Sequence, residues 1–127
     1  MDDDRRAQWL KGVLDLCILG ALTDGERYGY DLAQRLERAG LGRIKGGTLY
    51  PLLARLETAG LVTSRWRPGE QGPGRKYYTL TAQGRHTLAE HAVAWAAFAS
   101  HVAPLLRATP EEERDDGHGN VPGALGR

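Results

Sequence analysis

Eight basic side chains fall between residues 43 and 85: Arg43, Lys45, Arg55, Arg65, Arg67, Arg75, Lys76 and Arg85. Only Glu57 and Glu70 oppose them, so the block carries a net +6 inside a chain whose formal net charge is +1. Acid collects at the ends instead, in Asp2 to Asp4 and in Glu111 to Glu113 with Asp115 and Asp116. Guanidinium and ammonium groups gathered in this way suit a polyanion. A solvated basic face without a partner would have the same composition, so the block gains meaning only from the elements that carry it.

Other chemistries find little support. The one cysteine, Cys17, lies mid-helix among aliphatic residues with no base near it in the sequence, which reads as core filler. His86, His91 and His101 do not form the i, i+4 pair that puts two metal ligands on one helix face, and no thiolate joins them. The glycines between Gly69 and Gly74 are not followed by a helix or by Gly-Lys-Ser/Thr, so a nucleotide loop is not indicated. With no paired carboxylates and no nucleophile–base pair, the sequence offers no catalytic residue, no metal site and no cofactor.

The basic residues sit on a readable order of elements. Leu49, Leu52, Leu53 and Leu56 recur at i, i+3, i+4 and i+7, one face of a helix. Pro51 belongs in a first turn, so this helix is expected to start near Gly47 or Thr48, with Thr48 as its N-cap and Gly60 as its stop. Its other face carries Thr48, Tyr50, Arg55 and Thr58, a short polar surface suited to a major groove. An ordinary surface helix would look the same in isolation.

Upstream, apolar spacing predicts a first helix over residues 5–22 and a second over 28–39, with a glycine-rich connection at 40–47. Downstream, 61–67 alternates as a strand, 68–74 is a Gly/Pro loop, and 75–80 is a second strand rich in aromatic and β-branched residues. Three helices and a basic hairpin in this order make a winged helix-turn-helix, with Arg67, Arg75 and Lys76 on the wing. Residues 82–106 then read as one long helix capped by Thr81. Leu88, Ala92, Trp95, Ala99, Val102 and Leu106 form a heptad-like seam on it. Such a seam exceeds what one small domain covers, and a second copy of the chain is the simplest partner. Packing on the first helix, which carries Trp9 and Val13, is the intramolecular alternative.

The chain has 127 residues, 41% hydrophobic and 26% charged, as expected of a soluble globular domain. No run approaches the roughly 18–20 apolar residues of a membrane span. The N-terminus is acidic and lacks an apolar signal core, and a lone cysteine forms no internal disulfide, so a cytoplasmic location is expected.

Several strings together resemble the PadR family of bacterial transcriptional regulators. They include Tyr28-Gly29-Tyr30-Asp31-Leu32, Gly47-Thr48-Leu49-Tyr50-Pro51-Leu52-Leu53, Gly60-Leu61-Val62 and Gly74-Arg75-Lys76-Tyr77-Tyr78-Thr79-Leu80. The resemblance runs over about residues 8–106, and the Thr-Leu-Tyr-Pro and Arg-Lys-Tyr-Tyr strings are its specific part. It implies a homodimeric winged-helix repressor acting on an inverted-repeat operator in double-stranded DNA. A single helix after the wing matches the short form of the family. By position, Thr48, Tyr50 and Pro51 match the start of the family's recognition helix, Arg75 and Lys76 the wing base, and Tyr77 and Tyr78 its packing and backbone contacts.

The DNA-binding set expected is therefore Lys45, Thr48, Leu49, Tyr50, Arg55, Arg67, Arg75, Lys76 and Tyr77. The dimerisation set is Trp9, Val13, Leu88, Ala92, Trp95, Ala99, Val102 and Leu106. In multidrug-sensing relatives a planar ligand stacks on a tryptophan of the last helix, which offers Trp95 and Phe98 to a small aromatic effector; plain dimer core is the favoured reading of Trp95. The expected organisation is a mainly α, winged DNA-binding domain at 5–80, a dimerisation helix at 81–107 and a disordered acidic tail at 108–127. A winged module that binds protein or RNA without operator recognition is the alternative.

Overall fold

The computed structural model describes residues 2–69 and 71–107. The expected acidic tail therefore lies outside the described residues. The order of elements is α1 (Asp3–Leu10), α2 (Leu14–Ala21), β1 (Arg27–Tyr28), α3 (Gly29–Leu36), α4 (Gly46–Thr58), β2 (Val62–Arg67), β3 (Arg75–Leu80) and α5 (Ala82–Val102). The three strands form one antiparallel sheet in the order β1-β3-β2. The chain divides into two compact units, Met1–Ala92 and Val93–Arg127.

The first unit holds the core. Leu14, Ile18, Leu19, Ala21 and Leu22 enter it from α2 and its end, Leu32 and Leu36 from α3, and Leu49, Leu53 and Leu56 from α4. Val62, Tyr78 and Leu80 close it from the sheet. The leucine stripe read from the sequence is thus the buried face of α4, and its burial is the main force fixing that helix.

Four expectations about boundaries are corrected. The helix expected over 5–22 is two helices, broken where Val13 leaves helical geometry at φ −138°, ψ 0° and donates to Leu10 O at 2.9 Å. Gly12, a poor helix former, sits at the break, whereas the apolar spacing runs straight across it. Tyr28 is not helical but the second residue of β1, paired with Tyr77 while Arg27 pairs with Tyr78. A two-residue strand is too short for alternation to reveal.

The third correction concerns α4, which starts at Gly46 with Lys45 as its N-cap residue, not at Thr48. Lys45 O accepts from both Thr48 N and Leu49 N at 2.9 Å, so the first turn is secured by backbone alone. Pro51 then falls in the second turn. It withholds one donor from the carbonyl of Gly47, a loss tolerable on an exposed face where water can serve that carbonyl. The stop is as expected. Gly60, at φ +80°, donates to Glu57 O, and Leu61 N closes on Leu56 O at 3.0 Å, the paired bonds of a Schellman cap.

Lastly, the helix expected over 82–106 is α-helical only to Val102 and tightens into a 3₁₀ turn at Ala103–Leu106. Pro104 has no N–H for the carbonyl of Ser100, which ends the α ladder.

Two joints position the reading elements. Arg27 Nε donates to Ala21 O at 3.0 Å, and its guanidinium bridges Asp24 at 3.3 Å and Asp31 at 3.0 Å, locking β1 against the end of α2 and the start of α3. Burial pushes the Asp24 carboxyl up, but the Arg27 hydrogen bond and the nearby Arg35 and Arg27 charges outweigh it and leave the group below its ordinary range. Thr81 caps α5 as expected. Its Oγ1 accepts from Gly84 N at 2.9 Å and donates to Gly60 O at 2.7 Å, which ties the end of the sheet to the end of α4.

Candidate nucleic-acid interface

On α4, the leucine face is turned into the core, which leaves Gly47, Thr48, Tyr50, Pro51, Ala54, Arg55 and Thr58 exposed on the other side. Lys45 stands exposed at the N-terminus of the helix. Leu49 is the exception among the expected DNA contacts. It is only 1% exposed, one of the core leucines, so it holds the helix in place and cannot touch a ligand. Its neighbours in the matching string point outward, but helical periodicity turns Leu49 with Leu53 and Leu56.

The hairpin has two distinct faces, fixed by register. Arg65 lies opposite Tyr77 and Arg67 opposite Arg75, with Tyr28 opposite Tyr77 on the other side of β3. These five side chains share the outer face. Ser64, Trp66, Lys76 and Tyr78 share the inner face, turned toward α4. On the outer face cations and rings interleave. The Arg67 guanidinium lies 4.6 Å from the Tyr77 centroid, Arg75 lies 4.4 Å from that of Tyr28, and the two rings meet edge-on at 5.4 Å. Such stacking holds the arginines extended while leaving N–H groups available.

Two carboxylates brought in by the fold offset this charge. Glu26, just before β1, pairs with Arg65 at 3.2 Å and also with Arg67. Glu57 of α4 accepts from Ser64 Oγ at 2.6 Å and faces Lys76 Nζ at 3.9 Å. Among the described residues, Arg43, Lys45, Arg55 and Arg75 have no such carboxylate. Among the described residues Arg75 is therefore the exposed wing cation without a carboxylate partner. Arg65 was outside the expected set although alternation places it beside Arg67. Glu26 gave no local signal at all, since 39 residues separate it from Arg65.

Between α4 and the hairpin runs a groove lined from α4 by Tyr50, Ala54 and Glu57, from Tyr28 and Gly29, and from the hairpin by Trp66, Gly74, Arg75, Lys76 and Tyr78. Trp66 is 69% exposed on its hairpin wall and was not singled out from the sequence. Burial pushes the Tyr78 phenol up, with the Glu57 charge and Tyr50 adding to the effect.

The positions expected in a dimer contact fall in two places. Trp9 is exposed on α1, whereas Val13 is half-buried at the break. On α5, Leu88, Ala99 and Val102 are half-buried, while Ala92, Trp95 and Leu106 are exposed. Phe98 is exposed three residues beyond Trp95. Cys17 is half-buried, and burial, with Asp15 adding, pushes its thiol up and away from reactivity. Among the described residues no three His, Cys, Asp or Glu side chains are grouped to hold a metal ion, and no helix is long and apolar enough to cross a membrane.

The profile of the Transcriptional regulator PadR-like family matches residues 18–90, more than half of the chain. A transcriptional regulator of Mycobacterium tuberculosis is 40% identical over 83 residues, covering 65% of this chain and 76% of that protein. Among solved structures, a PadR-like transcriptional regulator from Bacillus cereus superposes with a TM-score of 0.71 at 36% identity, covering 80% of this chain and 99% of that one. A PadR family transcriptional regulator from Eggerthella lenta gives 0.72 at 35% identity, covering 81% and 89%. These relatives are regulators rather than enzymes, and the two solved structures share the fold described above. The chain belongs to the PadR-like family of transcriptional regulators.

Proposed function

We propose that the protein is a homodimeric, sequence-specific DNA-binding regulator that acts as a repressor at an inverted-repeat operator. One observation carries this reading: the polar face of α4 and the arginine-bearing hairpin flank one groove, with α4 fixed from behind by its leucines. A helix of this size fits a major groove, and the wing meets phosphate beside it. Thr48, Tyr50 and Arg55 are assigned to the groove, Lys45, Arg67 and Arg75 to phosphate, and Lys76 and Tyr77 to holding and orienting the wing. Such work belongs in the cytoplasm.

Dimerisation is assigned to α5 with α1. The support is the exposed apolar series Val93, Trp95 and Phe98, 46% exposed or more in the single chain, with Leu105 and Leu106 beyond them. Burying such a surface against a second copy offsets its hydration. The same series is where a planar aromatic effector would stack and relieve repression, on Trp95 and Phe98. Light scattering at micromolar concentration should give a dimer, and changing Trp95 and Val102 together to Glu should abolish it.

The DNA reading is tested by selection from a pool of random-core duplexes. It expects an enriched motif repeated as an inverted pair about 10 base pairs apart, one helical turn. Failure to enrich any motif would overturn it.

A further inference from the structure

Gly29 opens α3, and its backbone does not require glycine: its φ is not among the positive ones, which belong to Gly25, Gly40, Gly42, Gly60 and Gly72. Space requires it instead. A Cβ built on Gly29 would lie 2.6 Å from Tyr50 Cε1 and from Cζ, and closer still to the hydroxyl oxygen. On the opposite side, a Cβ on Gly46 would touch Tyr50 Cδ2 and Cε2 at 3.5 Å, ordinary contact distance. The tyrosine ring thus lies in a slot between the first residue of α3 and the first residue of its own helix.

The slot does not bury the ring for the sake of the core. Tyr50 stays 50% exposed, and among the described residues its hydroxyl makes no hydrogen bond. A large, half-exposed side chain is thus bounded on two sides by glycines. A ring that served only the core would have been covered.

We infer that Gly29 is a positioning residue for Tyr50: it keeps the ring in the slot so that the free hydroxyl meets DNA at the margin of the α4 groove. The assignment rests on the DNA-binding reading above. It explains the glycine by what a methyl would displace, namely the far end of a movable side chain and not backbone. Gly29→Ala should therefore fold, since alanine favours a helix, yet move Tyr50.

The experiment has two arms. In the free protein, carbon-13-labelled tyrosine rings are followed by NMR, with the Tyr50 signal identified by its loss in Tyr50→Phe. Gly29→Ala should shift the Tyr50 ring signals and leave those of Tyr78 in place. Unmoved Tyr50 signals would overturn the slot whatever DNA does. In the second arm, wild type, Gly29→Ala, Tyr50→Phe, Tyr50→Ala and Gly29→Ala/Tyr50→Ala are titrated with the duplex enriched by the wild type and with a scrambled duplex of equal length.

Gly29→Ala and Tyr50→Ala should each weaken binding to the enriched duplex roughly tenfold, the scale of one lost specific contact. The double variant should be no weaker than Tyr50→Ala alone, because both changes remove the same interaction. Wild-type affinity in Gly29→Ala, or additive losses in the double variant, would overturn the positioning role while leaving the DNA reading intact. Equal wild-type affinity for the two duplexes would instead overturn operator recognition, and this assignment with it. Gly20→Ala, which meets nothing within 4 Å, is the control for inserting a methyl.

Discussion

Ser64 Oγ on β2 donates a 2.6 Å hydrogen bond to Glu57 Oε2 on α4, so one carboxylate ties the hairpin to the reading helix. The bond is charge-assisted and half-buried, and removing the donor leaves the carboxylate short of a partner. Ser64→Ala should lower the unfolding free energy by about 1–2 kcal/mol. Urea denaturation with an unchanged slope would show it as a lower midpoint; an unmoved midpoint would mean that the tie contributes nothing.

Gly84 makes the opposite demand on its surroundings from Gly29. Its Cβ would lie 2.9 Å from the carbonyl carbon of Leu61, and closer to the oxygen, so backbone would have to give way. Gly84→Ala should destabilise by about 3 kcal/mol, the upper end for an overpacked site. Gly20→Ala, in open space on α2, should stabilise by about 0.5–1 kcal/mol. Thermal melts of the two variants should therefore move in opposite directions.

The raised Tyr78 phenol predicts an alkaline limit. Burial, then Glu57 and Tyr50, favour its neutral form in the folded chain. An unfolded tyrosine ionises near pH ~10, so the unfolded state loses its proton first. This stabilisation is fully present below that pH and is lost as the pH climbs from the unfolded to the folded value. Tyr78→Phe should therefore show a shallower loss of stability between about pH 9 and 11 than wild type. Parallel curves would show that Tyr78 is not the group responsible.

The pairing of Glu26 with Arg65 and Arg67 sets the charge that the wing presents. A phosphate must compete with this carboxylate for both guanidinium groups. Glu26→Gln should tighten binding to any duplex, by about two- to fivefold at low salt, and steepen the salt dependence. The cost to stability should be small, since exposed pairs contribute about 0–1 kcal/mol. Weaker binding in a fluorescence titration would show that Glu26 instead orients the arginines for contact.

Much of this arrangement was legible in the sequence because periodicity and breakers carry it. The leucine spacing located α4, Gly60 its end, alternation gave β2, and the aromatic and β-branched run gave β3. What stayed hidden depends on contacts distant in the chain. β1 exists only because Arg27 and Tyr28 find β3, and the Glu26 and Glu57 pairs exist only once the hairpin has closed. Leu49 is a different case: its string matches the start of a recognition helix, but the leucine spacing already places it on the inward face with Leu53 and Leu56. Pro51 points to a later start than the true one because proline favours a first turn, whereas an exposed second turn also tolerates the missing donor.

The central claim is that α4 reads sequence while the wing holds phosphate, and one salt titration addresses it. Arg75→Ala, Thr48→Ala and wild type are compared on the enriched duplex and on a scrambled duplex across a range of potassium chloride. Arg75 has no carboxylate among the described residues, and the exposed Thr48 hydroxyl has no partner among them. Arg75→Ala should weaken binding to both duplexes alike and reduce the slope of log affinity against log salt by about one per contact in each half-site. Thr48→Ala should keep the slope and lose about 1–3 kcal/mol on the enriched duplex alone. An unchanged slope in Arg75→Ala together with an unchanged preference in Thr48→Ala would contradict the account.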